Sequence, residues 1–107
     1  MDKRKDSERL KDFIKKIEKG FSPCKILLFG SRARNEEWEN SDYDIVIISD
    51  KFEGVHWLNR ISSIVKYWNL YSNIDILPYT FEEFENKLKE SSFVRNLAKE
   101  SVELTLN

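Results

Sequence analysis

Two aspartates, Asp42 and Asp44, stand two residues apart at the start of an apolar run over residues 45–48. If this run is a β-strand, both side chains lie on one face, roughly 6.5–7 Å apart along the chain. Carboxylates on one face repel each other unless a cation or a proton lies between them. Hard oxygen ligands without His or Cys suit Mg²⁺, which also binds substrate phosphates. The pair therefore predicts a magnesium site.

A second chemical group follows another apolar run, CKILLF, over residues 24–29. Gly30 has no Cβ, so the backbone there can turn sharply and approach a ligand closely. The hydroxyl of Ser31 and the unpaired N–H groups that follow it suit a phosphate. The side chains of Arg32 and Arg34 can pair with phosphate or, alternatively, with the nearby glutamates. We expect these four residues to form a phosphate site.

Hydrophobic periodicity predicts the elements that position these residues. They are a helix over 7–19, strands over 24–29 and 42–48, a helix over 55–69, a strand over 73–79, and helices over 81–90 and 92–100. Gly20 and Pro78 are expected to end the first helix and the third strand. Thr80 and Glu83 have the spacing of a capping box. Residues 102–106 alternate with period two, which also fits a short edge strand.

The alternation of helices and strands predicts an α/β (α+β) fold, with helices packed on a small mixed three-stranded sheet and room for a short fourth edge strand. Antiparallel first and second strands would bring Ser31 close to Asp42 and Asp44. A parallel third strand, reached through a right-handed helical crossover, would add Asp75. This arrangement suits two Mg²⁺ ions about 3.5–4 Å apart, which stabilise the attacking and leaving oxygens of a phosphoryl transfer.

The order Gly30-Ser31, ten residues, Asp42-x-Asp44 and then Asp75 on a later strand resembles the DNA polymerase beta nucleotidyltransferase superfamily. The segments GSRAR and SDYDIVI resemble its minimal nucleotidyltransferase branch, and the resemblance covers residues 8–106. It implies a Mg²⁺-dependent enzyme that transfers a nucleoside monophosphate, AMP from ATP, to an acceptor hydroxyl. It places both metals on Asp42 and Asp44, and the triphosphate on Gly30 and Ser31. It gives Asp75 the acceptor-activating metal or the role of general base.

The same resemblance implies a protein partner. Minimal members are often encoded beside a helical, HEPN-type toxin, for which they serve as the antitoxin and to whose tyrosine they can transfer AMP. A homodimer stays open. One alternative is a binding module without catalysis, which neutralises a helical partner by occlusion through Trp38 or the 93–106 segment. Another is nucleotidyl transfer to a small molecule.

Composition narrows the functional classes further. The chain has 107 residues, 40% of them hydrophobic, with three Gly and two Pro, which fits one folded domain over residues 1–107. A net charge of −1 predicts no attraction to nucleic acid or to anionic membranes. The lone Cys24 excludes an internal disulfide. Without an apolar run of about 20 residues or a signal-peptide pattern, we expect a cytoplasmic protein.

Overall fold

A computed structural model describes residues 6–30 and 42–106. Within these residues the helices are α1 (Asp6–Phe21), α2 (Trp57–Val65), α3 (Phe81–Glu90) and α4 (Ser92–Glu100), with a 3₁₀ turn at Asp50–Phe52. The strands are β1 (Cys24–Phe29), β2 (Tyr43–Ser49), β3 (Ile74–Tyr79) and β4 (Val102–Glu103). Within these ranges no helix combines the length and the apolar character that a bilayer crossing requires.

The strands form one mixed sheet in the order β3-β2-β1-β4. Strand β1 runs antiparallel to β2 and β4, whereas β2 and β3 are parallel. The predicted mixed sheet and its fourth edge strand are therefore confirmed. Strand β4 is shorter than the alternation over residues 102–106 predicts. The N–H of Leu104 nevertheless donates to the Ile26 carbonyl at 2.7 Å, and the Ile26 N–H donates to Thr105 Oγ1 at 2.8 Å.

The two faces of the sheet bury different sets of apolar side chains. One face packs against α1, in a core that includes Phe13, Ile14, Ile17, Ile26, Tyr43, Ile45 and Ile47. The other face packs against α3 and α4, in a smaller cluster around Phe29, Val46 and Ile48 with Phe84 and Leu97. Burial of each large aliphatic or aromatic side chain stabilises the fold by roughly 1.5–3 kcal/mol. Because side chains alternate along β2, Asp44 lies on the same face as Val46 and Ile48, which packs against α3 and α4.

Gly20 does not end the first helix, because α1 continues to Phe21. The Phe21 ring packs against Phe52 with 5.1 Å between ring centroids, which holds the last turn against the core. The chain leaves the helix at Ser22, whose helical conformation is disfavoured by Pro23. Tertiary packing and this proline therefore decide the helix end in place of the glycine.

Pro78 does not end the third strand either. It lies inside β3 and pairs with Ile47 of β2 in the parallel register. Because β3 is an edge strand, no neighbour on its outer side needs the N–H that proline lacks. The Pro78 carbonyl instead accepts a hydrogen bond from Arg60 at 3.1 Å.

Helix α2 is shorter than the predicted range of 55–69. It begins after His56, whose Nδ1 accepts a hydrogen bond from the Leu58 N–H at 3.2 Å, and it ends at Val65. The apolar residues of this helix are buried only in part. Ile64 is fully buried, but Val65 is 43% exposed and Arg60 is buried in its neighbourhood instead.

Arg60 joins α2 to the start of α3. Its guanidinium donates to the Val55 carbonyl at 2.8 Å, to the Pro78 carbonyl and to Glu83 at 2.7 Å. Glu83 also accepts from the Thr80 N–H at 2.8 Å, while the Glu83 N–H donates to Thr80 Oγ1 at 3.2 Å. The predicted capping box is confirmed, and the buried arginine anchors it.

Candidate active site

Three strand ends meet at one end of the sheet. Phe29, the last residue of β1, lies opposite Asp44 in the antiparallel register, and Asp44 lies opposite Asp75 in the parallel register. Residues directly opposite each other on neighbouring strands present their side chains on the same face. The predicted strand directions are confirmed, and they bring Gly30, Asp44 and Asp75 together.

Asp44 is the central acid of this group. It is half-buried, whereas Asp42 and Asp75 are exposed. Burial raises the pKa of the Asp44 carboxyl above its ordinary value, and the charge of Asp75, a side-chain hydrogen bond with Asp75 and the charge of Asp42 raise it further. Two carboxyl groups form such a bond by sharing a proton. The neighbouring negative charges of Asp75 and Asp42 therefore favour the neutral form of Asp44.

Asp42 contributes to the site through its charge. It lies just before β2 and acts on the Asp44 carboxyl less strongly than burial or Asp75 does. Because Asp42 is exposed, its carboxylate faces solvent at the mouth of the group. The structure thus gathers the three predicted acids, with two in contact and the third nearby.

Gly30 shapes the space around Asp44. Its φ of +77° lies in the left-handed region that side-chain-bearing residues rarely adopt. An added Cβ would lie 2.6 Å from Asp44 Oδ2. The sequence predicts that Gly30 allows a sharp turn and a close approach to a ligand. The structure adds that its missing Cβ leaves room for the carboxylate.

The other predicted phosphate-binding residues fall outside the described part of the chain. Ser31, Arg32 and Arg34 belong to the segment 31–41, as does Trp38. Their predicted roles in binding phosphate or a partner stay predictions.

A divalent cation such as Mg²⁺ needs several oxygen ligands at one point. Among residues 6–30 and 42–106, no three His, Cys, Asp or Glu side chains are arranged to hold a metal ion. These residues alone therefore do not build the expected three-acid cage for two metals. The pair Asp44 and Asp75 does suit one Mg²⁺ ion, which takes one or two carboxylates and completes its shell with water and substrate phosphates. A cation there would offset the repulsion between like charges that raises the pKa of the Asp44 carboxyl.

A cavity of about 260 Å³ lies beside the acid pair. Gly30 and Asp44 form part of its wall, and the rest comes from the sheet and from α3 and α4. The remaining lining residues are Phe29, Ile45, Val46, Leu77, Tyr79, Phe84, Val94 and Leu97. The cavity and the acid pair therefore share a wall.

Local sequence patterns do not predict this cavity. Period two on β3 places Leu77 and Tyr79 on the same face as Asp75, and this pattern was the available signal. Val94 and Leu97 lie on α4, far along the chain, and only the packing of α4 on the sheet brings them to the acids. Sequence spacing alone carries no information on that contact.

Comparison with known proteins gives consistent results. Residues 8–104 match the family described as "Polymerase beta, Nucleotidyltransferase". A 65-residue stretch is 37% identical to Caffeine-induced protein 16 of Schizosaccharomyces pombe, and it covers 61% of this chain but 5% of that protein. A crystal structure of a Sulfolobus solfataricus protein, provisionally described as a nucleotidyltransferase, is similar with a TM-score of 0.59. At 20% identity over 74% of this chain and 70% of the other, that similarity shows the fold.

The family match extends over most of the chain and includes all three strand ends that meet at Asp44. The fold and the placement of the acids agree with it, because a mixed sheet carries Asp44 and Asp75 side by side next to a left-handed glycine. The chain therefore belongs to the polymerase beta nucleotidyltransferase family.

Proposed function

We propose that this nucleotidyltransferase transfers a nucleoside monophosphate, AMP from ATP, to a hydroxyl group of a partner protein. The observation that carries the proposal is the parallel register that sets Asp44 against Asp75 beside Gly30. Asp44 and Asp75, with Asp42 nearby, would hold Mg²⁺. When bound, Mg²⁺ neutralises phosphate charge and favours the deprotonated form of an oxygen nucleophile.

In the proposed reaction the acceptor hydroxyl oxygen attacks the α-phosphorus of the triphosphate. A new P–O bond forms, the bond from the α-phosphorus to its bridging oxygen breaks, and pyrophosphate leaves with the electron pair. Asp75 is exposed and can be reached by an acceptor, so its carboxylate is assigned to take the hydroxyl proton. The absence of a side chain at Gly30 leaves room for the Asp44 carboxylate, and Ser31 is assigned to the triphosphate.

The proposed acceptor is a helical, HEPN-type toxin, for which this cytoplasmic chain would be the antitoxin. The support is the resemblance of the GSRAR and SDYDIVI segments to the minimal nucleotidyltransferase branch. The exposure of Asp42 and Asp75 also supports a protein acceptor, because a folded partner can bring its hydroxyl to an open edge of the sheet.

Transfer can be tested with ATP labelled on either the α- or the γ-phosphate, in the presence of Mg²⁺ and the partner. We expect the α label, and not the γ label, to appear on the partner. Asp44→Asn should reduce this labelling at least a hundredfold. Glu103→Gln, which removes an exposed carboxylate on the opposite edge strand, is the matched control and should retain it. Labelling from the γ position, or full labelling by Asp44→Asn, would contradict the proposal.

A second candidate function is neutralisation by occlusion without chemistry. It is favoured by the apolar side chains that α4 and the C-terminal residues leave uncovered, with Phe93 70% and Leu106 49% exposed. The double substitution Asp42→Ala/Asp44→Ala separates the two functions in cells that express the partner. Loss of protection supports transfer, whereas full protection by this variant and loss of protection by Phe93→Ser support occlusion.

A further inference from the structure

The cavity beside the acid pair is built differently from the acid site itself. Leu77 and Tyr79 of β3 form one side, and Val94 and Leu97 of α4 form the opposite side. Gly30 and Asp44 belong to both the cavity wall and the acid site. A ligand whose charged part binds at the acids can therefore place an adjoining part in the cavity.

The wall offers apolar contact and few hydrogen bonds. Among the described lining side chains, only Asp44 and Tyr79 carry a polar atom. The Tyr79 ring packs against two other rings, with 5.3 Å between its centroid and that of Trp57 and 6.1 Å to that of Phe84. Leu77 is 45% exposed, which leaves apolar surface uncovered next to an acid. Such a wall suits a flat, uncharged ring system.

The size of the cavity limits what it can hold. Its volume of about 260 Å³ is just below the range of roughly 300–1,000 Å³ typical of pockets that enclose a whole drug-sized ligand. Removing a charged triphosphate from water into this apolar cavity is unfavourable, whereas a cation at Asp44 and Asp75 would bind it. The part of a nucleotide that fits the cavity in both size and polarity is the base.

We propose that this cavity receives the base of the nucleoside triphosphate through apolar contact, and that it distinguishes weakly among the four bases. The inference rests on the proposed function, since it requires a nucleotide at the acids. Weak discrimination follows from the lining, because reading a base requires hydrogen bonds to its edge and Tyr79 supplies at most one hydroxyl. A preference for ATP would then reflect the concentration of ATP available to the protein and not a selective contact in the cavity.

The test compares the affinity of the protein for ATP, GTP, CTP, UTP and inorganic tripolyphosphate by calorimetry with Mg²⁺. Wild type should bind all four nucleotides within about fivefold of one another, and each roughly 10- to 100-fold more tightly than tripolyphosphate. Val94→Phe, which fills the cavity, should lower nucleotide affinity to that of tripolyphosphate and leave tripolyphosphate affinity unchanged. Asn96→Phe adds the same ring at an exposed position of α4 and should change neither.

A second variant guards against misfolding. Leu77→Gln changes a 45% exposed position from apolar to polar, and it should weaken nucleotide binding selectively while the melting temperature stays near that of wild type. Unchanged nucleotide affinity in both variants would overturn the inference. In the labelling assay, a rise confined to the KM of the acceptor in these two variants would also overturn it, because the acceptor would then occupy the cavity. A preference of more than a hundredfold for one base would also overturn it.

The same measurement separates this inference from the proposed function. If ATP and tripolyphosphate bind equally and the α label is still transferred, only the base site is wrong. If neither ligand binds in the presence of Mg²⁺, the nucleotidyl transfer itself is contradicted.

Discussion

A Cβ on Gly30 would lie 2.6 Å from Oδ2 of Asp44, a separation that real Cβ atoms do not show. The glycine therefore supplies two properties at once, a φ of +77° and an empty volume next to the central acid. The Asp44 carboxylate lies in the space that a Cβ would take, so a side chain at position 30 would displace it.

Gly30→Ala should lower transfer activity at least tenfold, because the new methyl group displaces the Asp44 carboxylate. Gly54→Ala is a matched control, since Gly54 has a similar φ of +73° and no atom within 4 Å of its added Cβ. Both changes impose a left-handed conformation on alanine, which costs roughly 1–2 kcal/mol of stability. Only Gly30→Ala should lose activity in steady-state assays of the folded variants.

A double variant tests whether the clash with Asp44 is the cause. In an Asp44→Ala background the methyl group of Gly30→Ala meets no carboxylate. In that background the loss of unfolding free energy that Gly30→Ala causes, measured by urea denaturation, should fall to the loss caused by Gly54→Ala. Equal losses for Gly30→Ala in both backgrounds would show that the backbone and not the carboxylate is responsible.

Asp44→Asn should raise the melting temperature at pH 7.5 in the absence of divalent cations. The folded state raises the pKa of Asp44 above its ordinary value of 3.8, mainly by burial, and so favours the protonated form. The protonated Asp44 carboxyl therefore stabilises the folded state fully below pH 3.8, and this stabilisation is lost as the pH rises through the raised pKa. The stability difference between Asp44→Asn and wild type should therefore shrink as the pH is lowered toward 3.8.

Melting curves over this pH range, with Glu103→Gln as the control, would measure the effect. Added Mg²⁺ should raise the melting temperature of wild type and leave that of Asp44→Asn unchanged. A lower melting temperature for Asp44→Asn at pH 7.5 without metal would contradict the description of Asp44 as a destabilising charge.

Arg60→Ala should lower the unfolding free energy by about 2–4 kcal/mol, mainly because the part-buried carbonyl of Val55 and the buried carbonyl of Pro78 lose their donor. Glu83→Gln should cost less than about 1 kcal/mol, because the Glu83 side chain is 45% exposed and its ion pair is screened by water. Urea denaturation gives both values, with the exposed Lys87→Ala as the control. A larger loss for Glu83→Gln than for Arg60→Ala would contradict this order.

The same pair has its own pH dependence. The hydrogen bond from Arg60 lowers the pKa of Glu83 below its ordinary value of 4.5. The pair therefore stabilises the protein fully above pH 4.5 and loses this effect as the pH falls through the lowered pKa. Below that value, the stabilities of wild type and Glu83→Gln should converge.

The strands and their directions could be predicted from the sequence for physical reasons. Strands β1 and β2 carry continuous apolar runs over residues 26–29 and 45–48, as buried strands do, and the helix before β3 allows a right-handed parallel crossover. The positions of Asp44 and Asp75 follow from these directions and from the register. The capping box was also predictable, because it is a local pattern between Thr80 and Glu83.

Other features depend on contacts that the sequence does not encode locally. Gly20 stays helical because Phe21 packs on Phe52, and Pro78 stays in a strand because that strand lies at the sheet edge. The burial of Arg60 requires three acceptors from separate segments. The apolar cavity beside Asp44 likewise exists only once α4 packs on the sheet.

The most direct test of the central claim is the binding of Mn²⁺, followed by electron paramagnetic resonance in the presence of a non-hydrolysable ATP analogue. We predict that wild type and Glu103→Gln bind Mn²⁺ with equal affinity. Asp44→Asn and Asp75→Asn should each weaken binding at least tenfold, which corresponds to about 1.4 kcal/mol. Unchanged Mn²⁺ affinity in Asp44→Asn and Asp75→Asn would show that these acids do not form the cation site, and it would contradict the account.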